Sequence, residues 1–484
     1  MSTAQHTHHS APDEHSVSSG DLKRAAWACS LGSALEYYDF ALYSLASALI
    51  FGPLFFPEQT RTMALIASFG TYFLGFAVRP LGGVLFGMVG DRIGRKFVLS
   101  ATVLLMGVSS TLIGALPTFH DAGYLAPVLL VLLRLLQGLG AGAEQAGAAV
   151  MMTEYAPRGR RGFFAALPFL GIQLGTILAA VVYFFVVSSS EHVTETWLWR
   201  LPFFLSLLIV GVGLWMRLRL KESPTFIRLK ALKRETGNPL HSAFKHSKKT
   251  LLIGVGLRLA ENGGSSIYQA LAVSYIVNVV GLKGPVGVLT LICAASVGAI
   301  VTPLAGRISD RFGRVKVYRF FALLQLALAF PVWWVLSLGN VAASIVAIAI
   351  ALGVGTWGMF GTQASLMPEL FGSRHRYMGV SIAREASAVI AGGIAPMIGA
   401  GIIALVVLGN AGLARPGLGA WLPIAGYLAV LTLITLYTTF KMPETLNRDL
   451  DEPRDALQVH EDELRSQANG HVRQTVATAS APLR

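Results

Sequence analysis

The chain has 484 residues, 54% of them hydrophobic and 13% charged, with a mean hydropathy of +0.59. A soluble protein this apolar cannot cover its core with polar surface, so the excess must face lipid. The formal net charge of +13 would point to nucleic acid in a soluble protein. Here the basic residues fall between apolar stretches, which points to membrane topology instead.

Residues 1–22 are polar and contain His6, His8, His9 and His15. Their composition predicts a disordered tail, with metal binding by the histidines as the alternative. No cleavable signal peptide is recognised. Twelve mostly apolar runs then approach or exceed the length of about 20 residues that a spanning helix needs. They are 25–51, 62–90, 97–116, 124–153, 163–187, 197–219, 251–280, 286–308, 317–338, 342–367, 378–408 and 419–440. Backbone polar groups in lipid must be satisfied within their own segment, so each run is expected to be a helix. Cys29 and Cys293 lie in such runs and read as small buried hydrophobes, not as a disulfide or metal pair.

Alternate loops are basic. They carry Lys23 and Arg24; Arg92, Arg95 and Lys96; Arg158, Arg160 and Arg161; the long charged stretch 217–249; Arg307, Arg311, Arg314, Lys316 and Arg319; and Arg374 with Arg376. The intervening loops carry only Arg61, Arg200, Lys283 and Arg415. The positive-inside rule places both termini in the cytoplasm. The expected organisation is a cytoplasmic tail at 1–22, six helices in 23–219, a cytoplasmic linker at 220–249, six helices in 250–441 and a cytoplasmic tail at 442–484. A short amphipathic helix on anionic lipid is one reading of the linker.

Three segments recur in order. Gly87-Met-Val-Gly-Asp91-Arg92-Ile-Gly94-Arg95-Lys96 returns as Gly306-Arg-Ile-Ser-Asp310-Arg311-Phe-Gly313-Arg314-Val315. Glu154, before Pro157 and an arginine cluster, returns as Glu369 before Arg374 and Arg376. Lys221-Glu222-Ser223-Pro224 returns as Met442-Pro443-Glu444-Thr445. Similar offsets in one order indicate duplication, and parallel repeats of six-helix halves are one known way to build an alternating-access transporter.

On these residues the chain resembles the major facilitator superfamily. The Gly-x-x-x-Asp-Arg-x-Gly-Arg-Lys loop is similar to that superfamily's motif between helices 2 and 3, and Arg134-Leu-Leu-Gln137-Gly138-Leu-Gly140-Ala-Gly142 is similar to its helix-4 motif. The second loop copy departs at Val315, where a basic residue is usual. A narrower resemblance is to the metabolite:proton symporter family. It is carried by Leu35-Glu36-Tyr37-Tyr38-Asp39-Phe40, Val78-Arg79-Pro80-Leu81-Gly82-Gly83, Gly142-Ala-Glu144-Gln145-Ala-Gly147 and Arg258-Leu-Ala-Glu261-Asn262. The resemblance covers about residues 20–445 and implies proton-coupled uptake of small polar metabolites, either organic acids or zwitterions such as proline and betaine. It also implies that the loop acids pair with nearby arginines and a neighbouring helix end to lock the inward side.

Ionisable groups inside a bilayer cost about 2.5–3.5 kcal/mol each on insertion scales. They must face a wet cavity or one another. Glu36 and Asp39 fall in the first helix, Arg79 in the second, Arg134 and Glu144 in the fourth, Arg258 and Glu261 in the seventh, Arg384 and Glu385 in the eleventh. Mutual neutralisation and a substrate–proton pathway are both open to this set, and an Arg258–Glu261 pair within one helix is a specific case of the first. Any of Glu36, Asp39, Glu144 or Glu261 is a candidate proton carrier, and Arg134, Arg258 or Arg384 a candidate anion holder. Asn262, Gln173 and Gln363 are candidate neutral hydrogen bonders or interhelix contacts. The gating set comprises Gly87, Asp91, Arg92, Gly94, Arg95 and Glu154 in the first half, and Asp310, Arg311, Gly313, Arg314 and Glu369 in the second. Arg160 and Arg161 would join the first cluster, Arg374 and Arg376 the second.

No Walker loop, metal-ligand cluster or nucleophile motif is found, which argues against an ATP-driven pump, a cofactor and an enzyme. The expected function is a proton-coupled secondary transporter importing a small organic anion. The alternatives are a zwitterion symporter and a drug/proton exporter on the same fold. The expected partners are a small-molecule substrate, the proton and the lipid bilayer, with the protein acting as a monomer.

Overall fold

The computed structural model describes residues 19–93, 95–142, 144–189, 193–219, 247–373, 376–410 and 417–466. Every regular element among them is helical. In chain order, α1 is Ser19–Leu49. α2 is Arg61–Ala77, continued after Val78 as Arg79–Ile93, and α3 is Arg95–Gly114. α4 is Leu125–Ala141 with Glu144–Tyr155, α5 is Arg161–Ser189 and α6 is Leu201–Arg219. α7 runs through Lys248–Leu257 and Leu259–Ser266 into π-helical turns at Ile267–Leu271 and Tyr275–Val279. α8 is Gly284–Phe312 and α9 is Arg314–Ser337. α10 spans Val341–Leu370, with a π-helical stretch at Ala349–Thr356. α11 spans Arg376–Gly409, with one at Ala388–Gly393, and α12 is Trp421–Phe440.

The twelve expected helices all form, with ends within a few residues of the apolar runs. Among the described residues eight helices are long and apolar enough to cross a membrane. α1 and α7 fall outside that group because they carry buried ionisable residues, Glu36 and Asp39 in α1 and Arg258 and Glu261 in α7. A helix that departs from the hydropathy of its neighbours by burying charge is spending stability on chemistry.

The packing repeats with a shift of six helices. α1 lies along α5 as α7 lies along α11, α2 contacts α4 as α8 contacts α10, and α3 packs on α6 as α9 packs on α12. Across the middle, α5 meets α8 and α2 meets α11, the two contacts being exchanged by the same shift. α1 also touches α7.

Small residues set these distances. Within the membrane there is no hydrophobic gain from bringing helices together, so close backbone approach and dispersion must do it. On α5 the Gly171–Gly175 pair faces α1. A Cβ at Gly171 would sit 1.9 Å from the Ser30 carbonyl oxygen, and one at Gly175 would sit 2.2 Å from that of Ala34. On α4, Gly138 and Gly142 meet the Gly75 and Arg79 carbonyls of α2 in the same way, at 2.1 and 2.2 Å.

Two expectations about the termini change. Residues 19–22 are the first turn of α1 and not part of a tail; residues 1–18 and their histidines lie outside the described residues. Residues 442–466 are packed against the body of the protein, and 456–466 form a helix. Ala456, Leu457 and Asp455 are buried, which a solvated tail would not do. The linker 220–246 lies outside the described residues.

The contrast between glycines gives a test. Gly175→Val forces a side chain against backbone, where overpacking costs about 1–3 kcal/mol or more. Gly426 on α12 has nothing within 4 Å of an added Cβ. Thermal unfolding in detergent is expected to show a clear loss for Gly175→Val and none for Gly426→Ala.

Candidate functional site

The buried charges of α1, α2, α7 and α11 meet in the middle of the bundle. Arg79 Nη2 lies 3.2 Å from Glu36 Oε1, and Arg79 Nε lies 2.9 Å from Glu385 Oε2. One guanidinium therefore holds carboxylates from α1 and α11 together. The Phe40 and Phe76 rings flank it, their centroids 4.8 and 5.4 Å away. On α7, Arg258 Nε and Glu261 Oε1 are 2.5 Å apart within the helix. Arg258 also donates to Asn262 Oδ1 at 3.3 Å, Asn262 donates to Ser387 on α11 at 2.9 Å, and Tyr318 donates to Glu261 Oε2 at 3.3 Å. The intrahelical pair expected from the i, i+3 spacing is present.

Arg134 is fully buried and sits in a wall of aromatic rings. Its guanidinium carbon is 3.9 Å from the Tyr43 centroid, 5.3 Å from that of Phe40 and 5.4 Å from that of Tyr72. It donates to Gln137 Oε1, and Gln137 donates in turn to Ser110 on α3 at 2.6 Å. Asp39, one turn of α1 from Glu36, accepts from Ser206 on α6 at 2.7 Å and feels the Arg134 charge. Among the described residues Asp39 forms no ion pair, unlike Glu36, Glu261 and Glu385. It sits on the first-half side of α1, away from the Arg79 cluster.

Arg384 shares with Arg134, and not with Arg79 or Arg258, the lack of an ion pair. It is buried, and among the described residues no carboxylate lies within ion-pair distance of its guanidinium. Glu385 and Glu36 contribute to the field around it, but their close contacts go to Arg79. Its nearest ring is Phe169 of α5, 5.4 Å from the guanidinium carbon to the centroid. Phe169 meets Phe360 of α10 edge-on at 6.1 Å. Gln173 follows Phe169 by one turn, and both of its buried amide atoms lack a hydrogen-bond partner. Gln363 follows Phe360 by three residues, and its buried Nε2 lacks one as well. Two amides and one cation are thus placed on facing helices with hydrogen-bonding capacity to spare, a costly arrangement in an apolar interior unless a ligand uses it. The π-turns of α10 and α11 lie just beyond Phe360 and Arg384; such turns recur at functional sites because they redirect side chains.

The second loop motif forms a lock at the end of the bundle that carries the chain termini. Asp310 accepts from the Gly162 and Phe163 amides at the start of α5, at 2.8 and 3.0 Å. A carboxylate on exposed helix N–H groups is favourable by charge and by dipole. Arg314 holds Asp310 at 2.7 Å and Glu369 at 3.2 Å. Glu444 accepts from the backbone amides of Arg314 and Val315, at 2.7 and 3.2 Å, and so caps α9. Gly313, at φ +103, makes the turn between α8 and α9. Glu154 pairs with Arg376 at 2.9 Å, joining α4 to α11.

Some expected members fall elsewhere. Arg311 is exposed and stands off the lock, while Asp310 at the end of α8 and Arg314 at the start of α9 are brought together across the Gly313 turn. Arg376 joins Glu154 instead of Glu369, so the second-half arginine serves a first-half acid. Gly87, Asp91, Arg92 and Arg95 lie on α2 and α3, but their side chains, all of Gly94 and Arg374, and the Glu144 side chain are outside the described residues. Sequence reading missed Ser206, Tyr72 and the C-terminal contacts. Only the recurrence of Pro443-Glu444 gave any signal for the last of these. Among the described residues no group of three or more His, Cys, Asp or Glu is arranged to hold a metal.

Comparison with known proteins bears on the family and the fold. The family model described as Major Facilitator Superfamily matches residues 29–396. The putative transporter YdfJ of Escherichia coli K12 is 35% identical over 425 residues, 87% of this chain and 96% of that protein. The shikimate transporter of the same strain is 31% identical over 438 residues, 90% and 97% of the two chains. Its proline/betaine transporter is 31% identical over 474 residues, 93% and 91% of the two chains. Among solved structures, the proton:xylose symporter XylE superposes with a TM-score of 0.70 at 19% identity, covering 90% of this chain and 99% of that one. The partially occluded inward-open form of XylE from E. coli gives 0.68 at 19% identity, covering 88% and 99%.

The pairings separate structural from available charges. Arg79→Ala leaves Glu36 and Glu385 buried without that cation, and breaking a buried pair from one side costs about 3–5 kcal/mol. Arg384→Ala strands no carboxylate. Thermal unfolding in detergent is expected to show a large loss for Arg79→Ala and a small one for Arg384→Ala; equal losses would contradict the assignment of pairs.

Proposed function

Because the chain belongs to the major facilitator superfamily, whose members are multi-pass membrane transporters and not enzymes, we propose that it imports a small organic anion together with a proton. Arg384 holds the substrate's carboxylate and Asp39 carries the proton. The observation that carries this reading is the contrast among the four buried arginines. Arg79 and Arg258 are neutralised by carboxylates at ion-pair distance; among the described residues Arg134 and Arg384 are not, and of these two Arg134 is enclosed by Gln137 and three rings while Arg384 has one ring beside it.

Coupling follows from charge balance. Away from the lock end, the described buried charges are four acids (Glu36, Asp39, Glu261 and Glu385) and four arginines (Arg79, Arg134, Arg258 and Arg384). With all of them ionised the set is neutral. A proton on Asp39 leaves one positive charge in a low-dielectric interior, and an anion at Arg384 removes it. Each ligand therefore favours the other, and by linkage the effect is reciprocal. Gln173 and Gln363 would give neutral hydrogen bonds to hydroxyl or keto groups of the substrate.

The zwitterion alternative draws on the aromatic wall of Phe40, Tyr43 and Tyr72, the kind of surface that takes a quaternary ammonium. In the structure that wall already faces the Arg134 guanidinium, which favours the anion. The halves 23–219 and 250–441 would rock about the Arg79 cluster. The lock end, rich in arginine, would face the cytoplasm with both termini.

The test is uptake into proteoliposomes with an imposed pH gradient, using a panel of hydroxy acids, keto acids and betaines. The parent is expected to accumulate an acid only when the gradient is present. A charge-assisted hydrogen bond contributes about 1.5–3 kcal/mol, so Arg384→Ala is expected to weaken binding of that acid roughly 10- to 100-fold. Arg384→Lys should recover part of it. Asp39→Asn is expected to retain exchange of substrate across the membrane and to lose accumulation driven by the gradient. Uptake indifferent to the gradient, or unchanged affinity in Arg384→Ala, would overturn the reading.

A further inference from the structure

We infer that Asn278 is the side chain that holds shut the end of the pathway remote from the chain termini, and that it sets how often the pathway opens there. The inference rests on transport by alternating access in this family and not on the identity of the substrate.

The two ends of the bundle are closed by different means. At the lock end the halves meet through backbone and ions: Gly162 against Gly306, Asp310 on the α5 amides, and Glu154 on Arg376. At the remote end a carboxamide bridges the halves among the described residues. Arg61, at the first position of α2, donates to Asn278 Oδ1 at 2.9 Å. Asn278 Nδ2 donates to the Ala48 carbonyl oxygen at 3.0 Å, in the last turn of α1. A second contact from Nδ2 to Ser274 Oγ, also 3.0 Å, orients the amide from one turn back on α7. Both ends of the side chain are therefore spent on the first half, one on α1 and one on α2.

Local backbone explains how α7 delivers it. Asn278 lies in the π-turn Tyr275–Val279, closed by the Val280 amide on the Tyr275 carbonyl at 3.0 Å. The wider turn rotates the end of α7 relative to an unbroken α-helix. The Ala48 carbonyl belongs to the end of a helix, where carbonyls lack intrahelical donors. Asn278 thus caps α1 from the other half of the protein. Two hydrogen bonds on a half-exposed residue are weak compared with the buried ions at the lock end, so this contact is the one that thermal motion breaks first.

The experiment reads opening without substrate. Ser44 is buried on α1, one turn deeper than Ala48. Ser44→Cys is made in a background carrying Cys29→Ser and Cys293→Ser, and its rate of reaction with a water-soluble maleimide is measured on the purified protein. Asn278→Ala and Arg61→Ala are each expected to raise the rate, roughly three- to tenfold for the loss of such hydrogen bonds. Because Arg61 acts through Asn278, the double variant is expected to label no faster than Asn278→Ala alone. Asn340→Ala is the control. Asn340 caps α10 on the same face through a bond to Ala343 of its own half, at 2.9 Å, and its loss should leave the rate unchanged. Melting temperature and elution profile report folding, and Arg61→Ala, at an exposed position, serves if Asn278→Ala does not fold. Rates equal to the parent in both variants, or an equal rise in Asn340→Ala, would overturn the inference. A failed substrate screen would leave it standing.

Discussion

Arg79 grips Glu36 of α1 and Glu385 of α11 at once, so a single guanidinium ties three helices and both halves of the molecule. In lipid none of these charges is tolerable alone. The pairing fixes where α2 and α11 cross, and with it the positions of Phe76 against Gly393 and of Arg384 beside Phe169. The glycine contacts on α4 and α5 bring the helices close enough for the pairing to form. Asp39, held by Ser206, and Arg384 stand outside this pairing.

The sequence made the helices legible because the bilayer leaves backbone few options. A run of apolar residues of the right length must be a helix, and its ends follow from where polar groups can reach water. Local pairs were legible too: Arg258 and Glu261 at i, i+3 are joined by helix geometry alone. Partners distant in the chain were not. Nothing near Arg79 in sequence selects Glu385, and nothing in the loop motif says that Arg376 will turn to Glu154 across the halves. Those choices depend on which helix faces touch, and a hydropathy pattern that is apolar on every side of a membrane helix does not encode its facing direction.

The departure of the second loop copy at Val315 has a physical reading. The motif's work there is done by Asp310, Arg314 and the backbone: Val315 offers its amide to Glu444, and its side chain is buried among apolar neighbours. A basic side chain would be stranded in that place. Lys316, next in sequence, is exposed and keeps the positive charge at the membrane surface. The repeat has diverged where the second half acquired a C-terminal partner.

That partner is the segment 442–466. Thr445 donates to Glu369, Arg161 of α5 donates to the Arg448 carbonyl, Arg376 donates to the Leu450 carbonyl, and Asp455 accepts from Thr250 and Gly372. These residues follow all twelve helices in the chain. Helices enter the membrane in order as they leave the ribosome, yet Glu369, Arg376 and the start of α5 must wait for this segment before their hydrogen bonds are complete. The lock end is therefore completed only after every helix has been made, and a chain stopped just after α12 would leave an inserted bundle with one of its two faces unfinished.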